Sequence, residues 1–470
     1  MTARRSDLIL AVLALAGTTF ALLQAIVVPA LPQIEHALGA GAAGGAWILT
    51  VNLLATAVLT PVLGRLGDMH GKDRVLRAAL AALGAGTLVC ALASTLPMML
   101  AGRALQGAGG AVFPLAFGII RDELPRERVA GAIGLVSSLL GIGAGLGLVV
   151  PGPIVAGLGW HWLFWLPLGV LAVTGVLVAR CVPASPVRTP APVNLGSSVL
   201  MVGGLSALLV AVSEASAWGC VSARTLGLTA VGALVVAGWV RSELRSSTPL
   251  VDMRMMAVRG VWTANVAAFL LGIGMYASIA LIPALVELPR STGFGFGGSV
   301  SAAGLFMLPT ATVQLIVGPL TGRIERRVGS RAQLITGMAC VLGAYAALTL
   351  GHRLPGELVA ATVVLGLGLG LGLGALGNLI VVAVPQAQTG VATAMNTVMR
   401  TLGGAFGAQL AAACLTGSSS LGGLPSNSGF TLAFGLCAVA LAAGLVCALA
   451  VPGQRGLQLR LAPAVPGGAR

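Results

Sequence analysis

The sequence predicts an all-α integral membrane protein of fourteen transmembrane helices: two six-helix bundles with two extra helices between them. Three observations predict it. Of 470 residues, 57% are hydrophobic and only 9% charged, with a mean hydropathy of +0.98. A soluble domain carries roughly 25% charged residues, so the solvent for this much apolar surface is lipid. The apolar residues fall in runs near the ~20 residues that a bilayer crossing needs. The charge between the runs alternates, rich in one loop and sparse in the next.

The runs lie at approximately 8–30, 46–64, 75–96, 98–120, 129–150, 163–180, 196–215, 225–240, 260–286, 299–320, 332–350, 357–384, 390–415 and 430–452. With Arg4 and Arg5 inside, 22 Lys/Arg side chains fall in inner loops or at the termini, and three (Arg224, Arg290 and Arg353) in outer loops. By the positive-inside rule both termini are cytoplasmic, in the cell membrane, with 31–45 and 416–429 outside. The first run has no small-residue cleavage site after it, which reads as a retained span. The net charge of +14 follows this topology. No basic patch is interleaved with aromatics, so no nucleic-acid partner is expected. The seven cysteines stand singly, mostly inside spans, without metal-ligand spacing. No metal, no cofactor and no enzyme activity are expected, since no nucleophile–base pair stands out.

Prolines 183, 186, 190 and 192 mark a linker after the sixth run, and 241–259 is a second polar loop. The expected domains are residues 1–193, an N-terminal six-helix bundle; 194–258, two inserted helices and a cytoplasmic loop; 259–452, a C-terminal six-helix bundle; and 453–470, a cytoplasmic tail. The 68 glycines fit close helix packing, and the 26 Arg against one Lys fit GC-rich codon bias as a second source.

One short stretch organises the chain. Gly64-Arg65-Leu66-Gly67-Asp68 through Gly71-Lys72-Asp73-Arg74 is a charged tight turn between the second and third runs. Its glycines let helix ends approach and the backbone reverse. Asp68 stands where a carboxylate can meet the positive end of a neighbouring helix. The plan repeats: Pro61-Val62-Leu63-Gly64-Arg65 with Gly71 recurs as Pro319-Leu320-Thr321-Gly322-Arg323 with Gly329, offset by 258 positions. The second copy carries Arg326 where the first has Asp68. Parallel six-span repeats are a transporter architecture, with the substrate site near the midplane between the repeats.

These residues resemble the major facilitator superfamily, and more narrowly its fourteen-span drug:proton antiporter branch. The Gly64–Arg74 stretch looks like the family's signature loop. Trp47-Ile48-Leu49-Thr50, Arg103-Ala104-Leu105-Gln106-Gly107, Trp160-His161-Trp162-Leu163-Phe164, Pro249-Leu250 and Asn396-Thr397-Val398-Met399-Arg400 match further patterns of the branch. Three positions depart from it. Leu23 stands where the first span usually carries an aspartate, nine residues before the proline of Ala30-Leu31-Pro32. The fifth-span glycine–proline motif has its proline displaced to Pro151, with Gly143, Gly147 and Gly152 as the gating glycines. Asn52 replaces a common tyrosine.

The resemblance implies a proton-coupled exporter of small amphipathic drugs or antibiotics working by alternating access. An importer, a lipid or metabolite carrier of the same fold, or a non-transporting sensor is the alternative. It implies that the first loop latches the halves together. The latch residues are Gly64, Arg65, Asp68, Gly71, Lys72 and Arg74, with Gly322, Arg323 and Gly329 in the second copy. Arg103 reads as a cavity-facing cation or as an arginine snorkelling to the interface. Arg400, with Asn396 one turn earlier, reads as part of the pathway or as a buried structural pair. Glu214 and Glu287 are helix-end acids that are either proton carriers or solvated. The cavity would be formed by the spans holding Leu23, Asn52, Arg103, Gln106, Asn265, Gln314, Asn378 and Arg400, a site with arginine and amides but no deep acid. It suits neutral or anionic substrates better than dications. The glycines alternating with leucine from Gly366 to Gly374 read as a flexible or closely packed helix at the interface of the halves. The expected partners are substrate, protons and membrane lipids, with the chain a monomer.

Overall fold

A computed structural model describes residues 3–187, 194–219, 221–418 and 424–452. The tail from 453, Arg188, Pro190, Pro192 and Cys220 lie outside the described residues. Among the described residues thirteen helices are long and apolar enough to cross a membrane, and one of them, Ser301–Leu350, is broken by a non-helical Gly329. Counting both arms gives fourteen spans, in the order the hydropathy predicts.

The first span is Ala3–Ala25, continued by Val27–Leu38. The break at Ile26 follows from Pro29, which has no N–H to give the carbonyl of Ala25. Residues expected in the first outer loop are therefore largely helical. The second to fourth spans are Ala42–His70, Lys72–Ala91 and Leu96–Glu123; in the last of these a 3-10 turn, Gly107–Ala111, interrupts the helix. The fifth is Arg126–Val149 with Pro151–Leu158 beyond it. Then come Trp162–Cys181, Leu195–Ser213, Ala223–Arg245 and Arg259–Glu287. The tenth and eleventh are the two arms around Gly329. Pro355–Ala383, Thr389–Gly417 and Asn427–Ala450 complete the set.

The repeat is visible in the backbone. Gly71 (φ 107°, ψ 127°) and Gly329 (φ 81°, ψ 156°) adopt the same positive-φ conformation at equivalent positions. Side chains rarely adopt it, and each glycine turns one span into the next with no loop between. The charges around them therefore sit on helix ends rather than in a loop.

The two six-span groups meet along two seams. At one, the second span packs on the thirteenth; at the other, the tenth packs on the fifth. Backbones touch at both. A Cβ on Gly64 would lie 2.8 Å from the Gly390 carbonyl oxygen, and one on Gly322 would lie 2.5 Å from the Gly131 Cα. The inserted seventh and eighth spans pack on each other. The seventh also covers the first seam: Leu209 is buried with Ala57 of the second span and Ala405 of the thirteenth, and Gln409 donates to the Ser213 carbonyl at 3.0 Å.

Candidate functional site

At the charge-rich end of the bundle, Asp68 is 1% exposed, on the last turn of the second span. Its two oxygens accept the N–H groups of Gly390 (3.0 Å) and Val391 (2.9 Å). These are among the first turn's N–H groups of the thirteenth span, which have no partner within their own helix. A carboxylate there meets the positive end of the helix dipole. Lys72, fully buried, donates to Asp122 at 2.7 Å and stands 3.8 Å from Asp68. Asp122 in turn accepts from Gln386 at 2.8 Å, and Arg121 donates to Thr389 (2.6 Å) and the Val384 carbonyl (3.0 Å). The cluster ties the second and fourth spans to the start of the thirteenth. Asp73 pairs with Arg77 at 2.9 Å and accepts the Ser185 N–H at 2.9 Å, and the Ser185 hydroxyl accepts the Lys72 backbone N–H at 2.9 Å. Of the other latch candidates, Arg65 is half-buried, while Arg74 and Arg323 are exposed without a hydrogen bond among the described residues.

The second seam carries a different chemistry. Arg326 donates to the Glu127 carbonyl at 3.2 Å, in the first turn of the fifth span. The buried acid here is Glu325, one residue earlier, which accepts from Ser330 and from Asn378. Asn378 also donates to the Ala130 carbonyl at 3.3 Å. Glu325 went unread in the sequence because it is one residue out of register with Asp68; its place in the second copy is the signal that could have found it. Arg121 counts among the inner-loop cations of the sequence, and Asp122 was not singled out there.

A cavity of about 260 Å³ lies in the half of the bundle away from the Asp68 cluster. Its walls come from the first, second, fourth, fifth, ninth and thirteenth spans. Apolar side chains such as Val28, Leu49, Leu53, Leu140, Met275 and Ile279 form most of it, and Gln24, Asn52, Arg103 and Tyr276 are its polar lining. Gln24 and Tyr276 were missed in the sequence, although Tyr276 is one of two tyrosines and lies inside a span.

Arg103 is 1% exposed, so it does not snorkel. Its Nε donates to the Ile48 carbonyl (3.2 Å), and its Nη1 to the Leu23 carbonyl (3.3 Å) and to Gln106 (2.8 Å). Gln106 donates to Thr87 at 3.0 Å, and Asn52 donates to the Arg103 carbonyl at 3.1 Å. The arginine thus joins the first, second and fourth spans through backbone carbonyls, with no acid in the set.

Several sequence-predicted cavity residues lie elsewhere. Leu23 is 1% exposed and packed in the core, turned away from the cavity that its neighbour Gln24 lines. Gln106 sits behind Arg103. Asn396 donates to Asn265 at 3.0 Å within the C-terminal group, and with Arg400 lines a separate void of about 10 Å³ beside Phe113 and Phe117. Gln314 borders a third void with Ser278, and Asn378 belongs to the Glu325 set. Glu287 is exposed at the end of the ninth span and Glu214 half-buried at the end of the seventh; neither lines the cavity. Gly143 and Gly147 pack against the backbone of the first span at Leu22 and Ile26, Gly152 approaches Ser301, and Pro151 starts the short helix after the fifth span. The glycine run from Gly366 to Gly374 packs mainly on the ninth, tenth and eleventh spans of its own group. Only Gly374 reaches across, to Gly134. One-residue alternation carries glycines around the helix, so they meet several neighbours rather than one seam.

The family model described as Major Facilitator Superfamily matches residues 13–408. A multidrug transporter protein of Bacillus subtilis, MdtP, is 28% identical over 402 residues, covering 84% of this chain and 72% of the relative. The multidrug efflux pump LfrA of Mycolicibacterium smegmatis is 30% identical over 412 residues, covering 86% of this chain and 80% of the relative. In fold, the chain is similar to the crystal structure of the human organic anion transporter MFSD10, with a TM-score of 0.68 and 14% identity over 95% of this chain and all of that one. Helix order, paired seams and these matches agree: the chain belongs to the Major Facilitator Superfamily, within the branch of multidrug and antibiotic efflux transporters.

Proposed function

We propose that this chain exports small amphipathic compounds across the cell membrane in exchange for protons, by alternating access, as a monomer with both termini cytoplasmic. The observation that carries the reading is the pairing of cavity and latch. The cavity is bounded by spans of both six-span groups, and the groups are clamped together at the opposite, charge-rich end by Asp68 on the thirteenth span. On the topology proposed, the charge-rich end is cytoplasmic and this is an outward-facing arrangement. Transport would break the Asp68 and Arg121 contacts, rock residues 1–193 against 259–452, and expose the cavity to the other side.

The lining favours neutral or anionic compounds. Among the described residues no acid lines the cavity, and Arg103 does. A dication would meet like charge without a counter-ion in a poorly screened setting. The efflux names of the relatives support the direction of transport. A susceptibility screen in an exporter-deficient host, with and without the chain, tests the reading. Raised tolerance to neutral or anionic antibiotics is expected. Unchanged tolerance to every compound at confirmed expression would overturn it, and strong protection against dicationic biocides would overturn the charge preference.

A further inference from the structure

Asn52 and Arg103 together leave an unused acceptor and an unused donor at the cavity. Asn52 is 2% exposed, and its Oδ1 has no hydrogen-bond partner. Its amide orientation is fixed by Nδ2, which donates to the Arg103 carbonyl; the flipped amide would set two oxygens against each other. Arg103 is 1% exposed and spends Nε and Nη1 on Ile48, Leu23 and Gln106, while Nη2 makes no hydrogen bond among the described residues. Both residues belong to the cavity lining, whose remaining wall is largely apolar. Orphaned buried acceptors are rare because each loses its hydration without compensation. Among the described residues nothing is placed to satisfy this one.

We infer that Asn52 and Arg103 form a substrate subsite for a group that donates and accepts at once: a phenolic or enolic hydroxyl on an otherwise apolar body. The hydroxyl hydrogen goes to Asn52 Oδ1, and the oxygen lone pair takes Arg103 Nη2. An ether of the same shape accepts from Arg103 but leaves Asn52 unpaired. A carboxylate accepts from Arg103 but places negative charge beside the Asn52 oxygen. Of these three groups the hydroxyl alone satisfies both, and the apolar walls take the ring. This rests on the export reading above, and names which of the neutral compounds the cavity selects.

The test uses the purified full chain in lipid nanodiscs at neutral pH, with three probes: 1-naphthol, 1-methoxynaphthalene and 1-naphthoate. Binding is measured for wild type and Asn52→Leu, each checked for folding by its melting transition. Wild type is expected to bind naphthol about tenfold more tightly than the ether, as one hydrogen bond to a buried and otherwise unpaired acceptor warrants. In Asn52→Leu that preference should fall below about twofold. Equal binding of naphthol and ether, or of neither, overturns the subsite. Tighter binding of naphthoate than naphthol also overturns it, in favour of an anion held by Arg103 alone. Transport of N-phenyl-1-naphthylamine, measured in parallel, separates the two readings: if it persists while the hydroxyl preference is absent, the subsite alone is wrong.

Discussion

Asp68 and Gly390 lie 322 positions apart, yet the Asp68 carboxylate accepts the Gly390 N–H at 3.0 Å and caps a helix of the other six-span group. Asp68→Asn keeps the size and one acceptor oxygen but removes the charge. Loss of a charge-assisted cap is worth about 1–2 kcal/mol, roughly a tenfold shift from the clamped toward the open arrangement. Efflux should fall several-fold with membrane insertion unchanged. Asp73 cannot substitute, because it is held by Arg77 and Ser185. Wild-type efflux from well-expressed Asp68→Asn protein would mean that the cap does not govern the cycle.

The seams predict a steric series. Gly64→Val and Gly322→Val place a side chain against backbone of the facing span, at 2.8 Å and 2.5 Å from the nearest atom. Both should hold the charge-rich ends apart and abolish transport. Gly84→Ala, which meets nothing within 4 Å, should be silent. Disulfide trapping between cysteines placed at the second and thirteenth spans reads the separation. Normal trapping in Gly64→Val would show that this contact is not needed for closure.

Charge selectivity should respond at Gln24 and not at Leu23. Gln24 lines the cavity, so Gln24→Glu is expected to raise efflux of a monovalent lipophilic cation severalfold. Leu23→Asp buries a carboxylate in a packed core, at a cost of several kcal/mol, and should lower expression without that gain. Efflux assays with a lipophilic cation decide between the two positions, and a gain from Leu23→Asp alone would place the cavity wall one residue off.

Much of the fold was legible because a bilayer forces it: span length, span order and charge alternation are all set by the solvent. The need of Asp68 for a helix N-terminus was legible in its place on the turn. Which helix it would find was not, since Gly390 carries no mark of its own and the contact depends on the packing of both groups. The cavity was the least legible part. Leu23 was chosen by resemblance, and a one-residue step on a helix turns a side chain by about 100°; Gln24, the neighbour, is the one that faces in. Asn396 and Arg400, one turn apart, line one void, and it is smaller than the main cavity.

Sidedness has its own test. Val221, 84% exposed between the seventh and eighth spans, belongs to the charge-poor end. Val221→Cys should be labelled by a membrane-impermeant thiol reagent from outside the cell, in a background where Cys181 and the other native cysteines are replaced. Labelling only after permeabilisation would invert the topology.

The central claim, proton-driven export through this cavity, is tested most directly in inverted membrane vesicles. An acid interior is imposed, and N-phenyl-1-naphthylamine is followed by fluorescence. The account predicts accumulation in the lumen that collapses when a protonophore is added and is several-fold weaker with Asp68→Asn. Accumulation that ignores the gradient, or none with wild-type protein present, would contradict it.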